Sequence, residues 1–497
     1  MICSDMCKAG IIASCRTVRF VAFTVVIGGL ISLSSHAQTI PQGDVNYDAS
    51  IRVGKPLPAQ PSNRPLVPPF QTPPAFLPDF FGTQAWLRAH GIYFLMATTN
   101  EFSGAVNKPT PGIVRYRRGA SNSGQVSTIL HINWDQLAGI PGFATHTVFT
   151  SRYGTTANRM FGDWLGHSTE IYGGGGNVVV HLVMAYGEEN LLGGRLVLSG
   201  GRMSEMSDFS SSPLFCNFIN NSLCGRPRAI SDNDYVSRYP SGIWATRIRY
   251  RPSRYTYIQA GVYFPEKSMF SSAYNRSGFR FSGGSAVMGK SIPVEFGWEP
   301  MLGAKHKLAG HYKIGARLMT VPLADNFYDK NMRSLALTLK SANIHNRSWT
   351  AWLEIDQKIW APRNSSSSTG TTVIGGFVIN DKRVALRRWQ AYLGFINRGF
   401  IRSRPKDALN FIGMYESIAA GVTATEAAYI NTGAMSRLPN RATGLQTNAA
   451  VFEVNYQIQV TRGVAFAPDY EIFFNPNAQK NLRTAHVLGF KSTVQIF

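Results

Sequence analysis

The stretch Phe452-Glu-Val-Asn-Tyr-Gln-Ile-Gln-Val-Thr461 decides the fold: Phe452, Val454, Tyr456, Ile458 and Val460 alternate with Glu453, Asn455, Gln457, Gln459 and Thr461. Successive side chains of an extended chain point to opposite faces, so these dyads make a strand with one oily and one wet face. The same period runs through 308–318, with Leu308, Tyr312, Ile314, Ala316 and Leu318 against His311, Lys313 and Arg317. It returns where Trp244, Thr246, Ile248 and Tyr250 alternate with Ala245, Arg247, Arg249 and Arg251. Further strands are read at 128–134, 178–186, 255–264, 349–359 and 488–496. Clusters of Gly, Asn, Asp, Ser and Pro separate them. This texture of short strands and turns is unbroken from Trp86 to Phe497, one organisation with no second domain boundary.

Composition sets the limits around that reading. The chain has 497 residues, 50 Lys+Arg against 28 Asp+Glu and a formal net charge of +22, yet only 16% of residues are charged and 44% are apolar. A disordered polybasic chain is excluded by that apolar content, and 47 Gly, 20 Tyr and 30 Phe favour strands and turns over helix bundles. Such basicity leaves nucleic acid, an anionic membrane surface or anionic solutes as partners.

The amino terminus removes the first of these. Arg16 and Arg19 precede an apolar run at 20–33, with small residues at Ser35 and Ala37. This pattern reads as a secretory signal peptide over 1–37, since the run is too short to span a bilayer. Its removal takes away Lys8, Arg16 and Arg19 against Asp5 and leaves +20 on the exported chain, which makes nucleic acid an unsuitable partner. Cys216 and Cys224 are then the two cysteines of the mature chain; eight positions apart in an oxidising compartment, they read as a loop disulfide, with no metal site around them. Ten of the 26 prolines fall between Pro41 and Pro78, so 38–85 reads as an extended periplasmic arm or linker. No later run of 18 or more apolar residues follows, so any membrane crossing is made by strands.

A soluble sandwich and a membrane barrel both give this texture. In a barrel the polar face lines water, and Arg247 and Arg249 must point inward, because an outward arginine near the bilayer midplane costs roughly 2–4 kcal/mol. The chain ends Lys491-Ser-Thr-Val-Gln-Ile-Phe497. A terminal aromatic closing an alternating strand resembles the ending of outer-membrane barrels, although Phe497 is out of phase with Leu488, Phe490, Val494 and Ile496.

Short motifs then follow in order: Trp86-Leu-Arg-Ala-His-Gly-Ile92, Asn100-Glu-Phe-Ser-Gly104, Leu196-Val-Leu-Ser-Gly-Gly-Arg-Met203 with Asp208-Phe-Ser210, Tyr239-Pro240, Ala245-Thr-Arg247, Gly261-Val-Tyr263, His311-Tyr-Lys-Ile-Gly315, Asp356-Gln357, Arg404-Pro-Lys-Asp407, Pro468-Asp469 and Asn475-Pro476. In this series the chain resembles the carbohydrate-selective, OprB-type porins of bacterial outer membranes over 86–497. The resemblance implies an all-β fold, a transmembrane antiparallel β-barrel of 16 strands with short periplasmic turns, longer outer loops and a constricted pore that passes sugars. The Cys216–Cys224 loop and the strong positive charge depart from what the resemblance implies.

A diffusion pore performs no bond chemistry; width, lining charge and stacking surfaces set its function. Aromatic rings stack on the apolar faces of sugars, and charged or amide groups satisfy the hydroxyls. The inward faces supply Arg247, Arg249, Lys313 and Arg317 as basic candidates and Glu354, Asp356, Glu453, Asp469 and Glu471 as acidic ones. Trp352 shares the phase of Glu354 and Asp356 and could stack on a sugar. For each, the alternative is a wet barrel wall whose charges pair with one another. The arginines Arg247 and Arg249 repel unless relieved by an anionic or hydroxyl-rich visitor. No His-Glu-x-x-His, Gly-Lys-Ser/Thr phosphate loop or Gly-x-Ser-x-Gly occurs, and no cofactor is called for. The expected function is passive passage of sugars or related hydroxylated solutes through a narrow basic pore. The alternatives are an anion-preferring porin for sugar acids or carboxylates, or a secreted glycan-binding sandwich. The expected partners are permeating solutes, outer-membrane lipid, lipopolysaccharide and a second copy in a homo-oligomer.

Overall fold

Alternation of this kind fixes which face of each strand is buried, because a one-residue slip would turn every side chain over. A computed structural model describes residue 70 and residues 73–497, apart from 111–119, 167, 170–177, 232–234, 268, 270–277, 280–285, 304–307 and 363–368. The signal peptide, most of the proline-rich arm, the Gly173–Gly176 run and the serine run at 365–368 lie outside the described residues.

Sixteen strands form one closed antiparallel barrel: Ile92–Ala105, Ala120–Asn133, Phe143–Gly154, Val178–Leu191, Leu196–Met203, Ile243–Ser253, Thr256–Tyr263, Ser291–Trp298, Leu308–Met319, Ser348–Trp360, Gly370–Asn380, Arg387–Arg398, Ala408–Ile418, Asn448–Thr461, Val464–Phe474 and Ala485–Gln495. Each pairs with its neighbours in sequence, and the last closes on the first, from Ala97 opposite Gln495 to Ala105 opposite Val487. Closure leaves no open edge, which a sheet in lipid requires. The two-residue strand Met301–Leu302 extends one pairing, and the hairpin Leu323–Asp329 with Ala342–His345 stands apart from the barrel sheet.

The phases follow the alternation. Ile314 is 59% exposed and Leu393 66%, on the outer wall, whereas Lys313 and Arg317 are buried inside. Phe452 and Val454 face out, with Glu453 and Asn455 inward between them. At one end the connections are tight, as at 192–195, 254–255 and 462–463; at the other they are long, as at 155–177, 204–242, 320–347 and 419–447. Gly463 shows why the tight end needs its residue types. It sits at φ 72° in the turn after Thr461, and a Cβ there would lie 2.4 Å from the Phe76 amide nitrogen.

The structure corrects the reading of strands and turns alone from Trp86 onward. Thr83–Ala89 is a helix, so the Trp86–Ile92 motif is a helix and turn and the first strand opens at Ile92. Trp134 opens a second helix instead of ending a strand, because Asn133 accepts hydrogen bonds from the amides of Asp135 (3.0 Å) and Gln136 (3.2 Å) and so caps it. A third helix, Ala420–Asn431, lies in a long connection. Among the described residues no helix is long and apolar enough to cross a membrane. The phase of Phe497 also resolves. The strand stops at Gln495, the amides of Ile496 and Phe497 both donate to the Met96 carbonyl, and the Phe497 ring lies 6.1 Å from that of Phe94.

Candidate functional site

The described residues of the connection 204–242, 204–231 and 235–242, turn into the barrel and are bonded to opposite walls. On the basic wall, Asp208 accepts from Arg247 (2.6 Å) through one oxygen and from the Tyr263 hydroxyl (2.5 Å) through the other. The Arg247 guanidinium also reaches Glu188 at 3.3 Å. Arg317 donates to Glu205 (3.3 Å) and to the Ile230 carbonyl (3.0 Å), and Lys313 donates to the Ser211 carbonyl. Arg249 donates to the Gln259 amide oxygen (2.9 Å) and lies over the Tyr257 ring. Between these, Glu295 takes four donors: the Ser210 amide, the Trp352 indole and the Gln259 amide, each at 2.9 Å, and the Tyr257 hydroxyl at 2.8 Å. A carboxylate with four donors is satisfied at all its lone-pair positions, so it can hold a loop turn in a buried place.

The same connection crosses to the acidic wall. Glu453 accepts from the amides of Ile219 (2.7 Å) and Asn220 (3.1 Å), and the Asn220 side chain donates to Glu471 at 2.6 Å. Asn455 donates to the Asn217 carbonyl (3.0 Å), and Lys491 lies 3.3 Å from Glu101 on that wall. Further round, Gln390 accepts from the Ala229 amide (2.7 Å) and donates to the Ser222 carbonyl (2.8 Å). The contact with the acidic wall is made by the loop that Cys216 and Cys224 close, their sulfurs bonded in a disulfide. Closing a ring of this size removes roughly 2–3 kcal/mol of loop entropy from the open state in the chain-entropy model. The double variant Cys216→Ser, Cys224→Ser is therefore expected to keep the barrel and its heat-modifiable gel mobility while single-channel current becomes noisier. A trace as quiet as that of the unaltered protein would show that the wall contacts hold the loop without the disulfide.

The ten candidate pore residues all turn inward and all are buried. Lys313, Glu354 and Asp356 line one cavity of about 10 Å³ with Ser212, Phe215, His311 and Tyr392, room for about one water. Glu354 accepts from the Ser210 hydroxyl, and Asp356 is paired with His311. Trp352 is 2% exposed and lies against Gly315, where a Cβ would meet its ring at 2.3 Å, so neither ring face is open in this conformation. Asp469, opposite Asn455 on the next strand, completes the acidic wall with Glu453 and Glu471. The loop is thus bonded to Arg247, Lys313 and Arg317 among the basic candidates and to Glu354, Glu453 and Glu471 among the acidic ones.

A family model for the carbohydrate-selective porin, OprB family, matches residues 117–496. The chain belongs to that family. It is similar to Porin B of Pseudomonas aeruginosa, 24% identical over 380 residues that cover 73% of this chain and 79% of the relative. It is also similar to the putative porin QuiX of Acinetobacter baylyi, 25% identical over 376 residues, 74% of this chain and 82% of the relative. Among solved structures, the high-pH form of Pseudomonas putida OprB superposes with a TM-score of 0.76 at 22% identity, over 83% of this chain and 96% of that one. The protein is an outer-membrane β-barrel porin of this family, and its long connections face the cell exterior.

Within this OprB-family barrel, Glu188, Asp208 and Glu295 stand outside the set of candidates drawn from sequence, yet they hold the basic wall together. Glu295 had a signal: it occupies the inward phase of Ser291–Trp298, between the apolar Val294 and Phe296. Glu188 likewise lies inward, on Val178–Leu191. Asp208 carries no periodic signal, because it sits in one helical turn, Glu205–Asp208, of a connection.

Proposed function

We propose that this porin admits small neutral sugars and related hydroxylated solutes by passive diffusion along the edges of the crossing loop. The observation that carries the reading is Arg247, held between Asp208 and Glu188. With Arg317 on Glu205, the loop brings the carboxylates that a basic wall would otherwise draw from an anionic solute. A lumen compensated in this way offers hydrogen bonds of both kinds at fixed positions, which suits a ring of hydroxyls better than a carboxylate. Arg247, Arg249, Lys313 and Arg317 on one wall and Glu453, Asp469 and Glu471 on the other are buried, so in this reading they act on the solute through the position of the loop and the charge of the lumen and not by direct contact.

Liposome swelling with paired neutral sugars and sugar acids of like size tests the reading. Neutral sugars are expected to enter severalfold faster. Faster entry of the acids, together with a strongly anion-selective reversal potential in a salt gradient, would replace it with an anion channel. The Arg247→Ala variant separates the roles further. Removing one partner of a buried pair leaves uncompensated charge at a cost of about 3–5 kcal/mol, so Asp208 and Glu188 are expected to shift the reversal potential toward cations and loosen the loop. A reversal potential equal to that of the unaltered protein would remove Arg247 from the ion pathway.

A further inference from the structure

The exterior rim carries charge that the solute pathway does not use. In connection 320–347, both carboxylates are spent internally. Asp325 accepts from His345 (2.7 Å) and from the amides of Phe327 (2.7 Å) and Tyr328 (2.8 Å), and Asp329 accepts from the amides of Asn331 (2.8 Å) and Arg333 (2.9 Å). In the next exterior connection Asp381 is taken by Arg383 at 2.6 Å. The cations nearby are not spent in this way. Arg347, Lys382 and Arg388 are exposed, and among the described residues none of them forms an ion pair.

The fold draws these three together. The Asp381 amide donates to the Trp349 carbonyl at 3.0 Å, and the Arg383 guanidinium reaches the Arg347 carbonyl at 3.5 Å, so the start of one strand and the 381–386 turn are adjacent. A register shift between Arg387 and Trp389 turns Arg387 inward to Glu416 (2.5 Å) and leaves Arg388 exposed. Just below, at the exterior ends of their strands, lie Trp349 and Tyr415, with Trp389 stacked on Tyr415 at 5.2 Å between ring centres. Deeper on the same outer wall are Leu353 and Leu393, both exposed.

We propose that this belt binds lipopolysaccharide, the phosphorylated glycolipid of the outer leaflet. Unpaired cations stand over interfacial aromatics, which stand over an apolar wall, and that order matches phosphates, head-group boundary and acyl chains in one molecule. Arg347, Lys382 and Arg388 meet the phosphates with charge-assisted hydrogen bonds. Trp349, Trp389 and Tyr415 occupy the boundary. An ordinary surface with charge of both signs would leave some exposed carboxylates here, and the internal use of Asp325, Asp329 and Asp381 removes them.

The test uses the full chain in detergent, titrated with purified lipopolysaccharide. The triple variant Arg347→Ala, Lys382→Ala, Arg388→Ala is expected to bind at least about tenfold more weakly, each basic side chain near an anionic surface being worth a severalfold gain. A charge-keeping triple variant, Arg347→Lys, Lys382→Arg, Arg388→Lys, is expected to stay within a few-fold of the unaltered protein, and sugar conductance is expected to be the same in all three. Lipopolysaccharide stripped of its phosphates is expected to bind the unaltered protein as weakly as the intact glycolipid binds the alanine variant. Equal affinity of the alanine and unaltered proteins would overturn the proposal, as would indifference to the phosphates. Equally tight binding to phosphatidylglycerol micelles would also overturn it, by showing a general anionic-lipid surface. If the alanine triple does not fold, the three single alanine variants are read in the same way, each expected to lose a few-fold.

Discussion

Glu295→Ala is expected to raise single-channel conductance severalfold and to make it flicker, while the protein still inserts as a heat-modifiable barrel. The side chain gathers the Ser210 amide, the Trp352 indole, the Gln259 amide and the Tyr257 hydroxyl on two oxygens. Hydrogen bonds to a charged group contribute about 1.5–3 kcal/mol each, and a buried donor left unmade costs about 1–3 kcal/mol. Three of the four donors come from barrel strands and can turn toward incoming water. The Ser210 amide belongs to the crossing loop, so the loop is what moves. Glu295→Gln is expected to give an intermediate channel. The amide keeps one acceptor, but its nitrogen then faces either the Ser210 and Trp352 donors or those of Tyr257 and Gln259. Planar-bilayer recordings of the three proteins check the order; a conductance unchanged in Glu295→Ala would mean that Arg247, Lys313 and the acidic wall suffice to hold the loop.

The barrel was legible because its evidence is local. At Phe452–Thr461 the alternation of apolar and polar residues names both faces without any partner strand, and the same holds for Arg247, Arg249, Lys313 and Arg317. What lies opposite those residues was not legible. Asp208 reaches Arg247 from a connection, Glu188 reaches it from two strands earlier, and Ile219 and Asn220 find Glu453 across the lumen. A periodic pattern describes the wall and carries no term for a loop that fills the space inside it. For that reason the polar faces, read as wet, are buried: Arg247 is 2% exposed and Arg249 1%. The helices Thr83–Ala89 and Trp134–Ala138 escaped for a different reason, since pieces of five to seven residues are fixed by caps and packing at the rim more than by propensity. Phe497 shows the limit of phase itself: once the strand ends at Gln495, alternation no longer dictates where the next side chain goes.

The sharpest trial of the wall lies in two neighbouring residues. Ile314→Arg is expected to lower the stability of the membrane-inserted barrel by about 2–4 kcal/mol, the cost of an arginine facing lipid near mid-depth. Ile314 sits at the middle of Leu308–Met319, is 59% exposed, and pairs with Phe296 on one side and Leu353 on the other, all of them apolar. One residue earlier the logic reverses. Lys313 faces the lumen and donates to the Ser211 carbonyl beside Glu354, so Lys313→Gln is expected to insert normally and to show its effect in the channel as a shift toward cations. Both variants change charge by one unit at adjacent positions of one strand. Ile314→Arg places a new charge in lipid, whereas Lys313→Gln removes one from the lumen, so each reads the medium on its own face of the strand. Urea unfolding from liposomes measures the first effect and reversal potentials the second. Normal stability of Ile314→Arg combined with failure of Lys313→Gln to insert would require the strand to be turned over, and with it every inward assignment from Arg247 to Glu471.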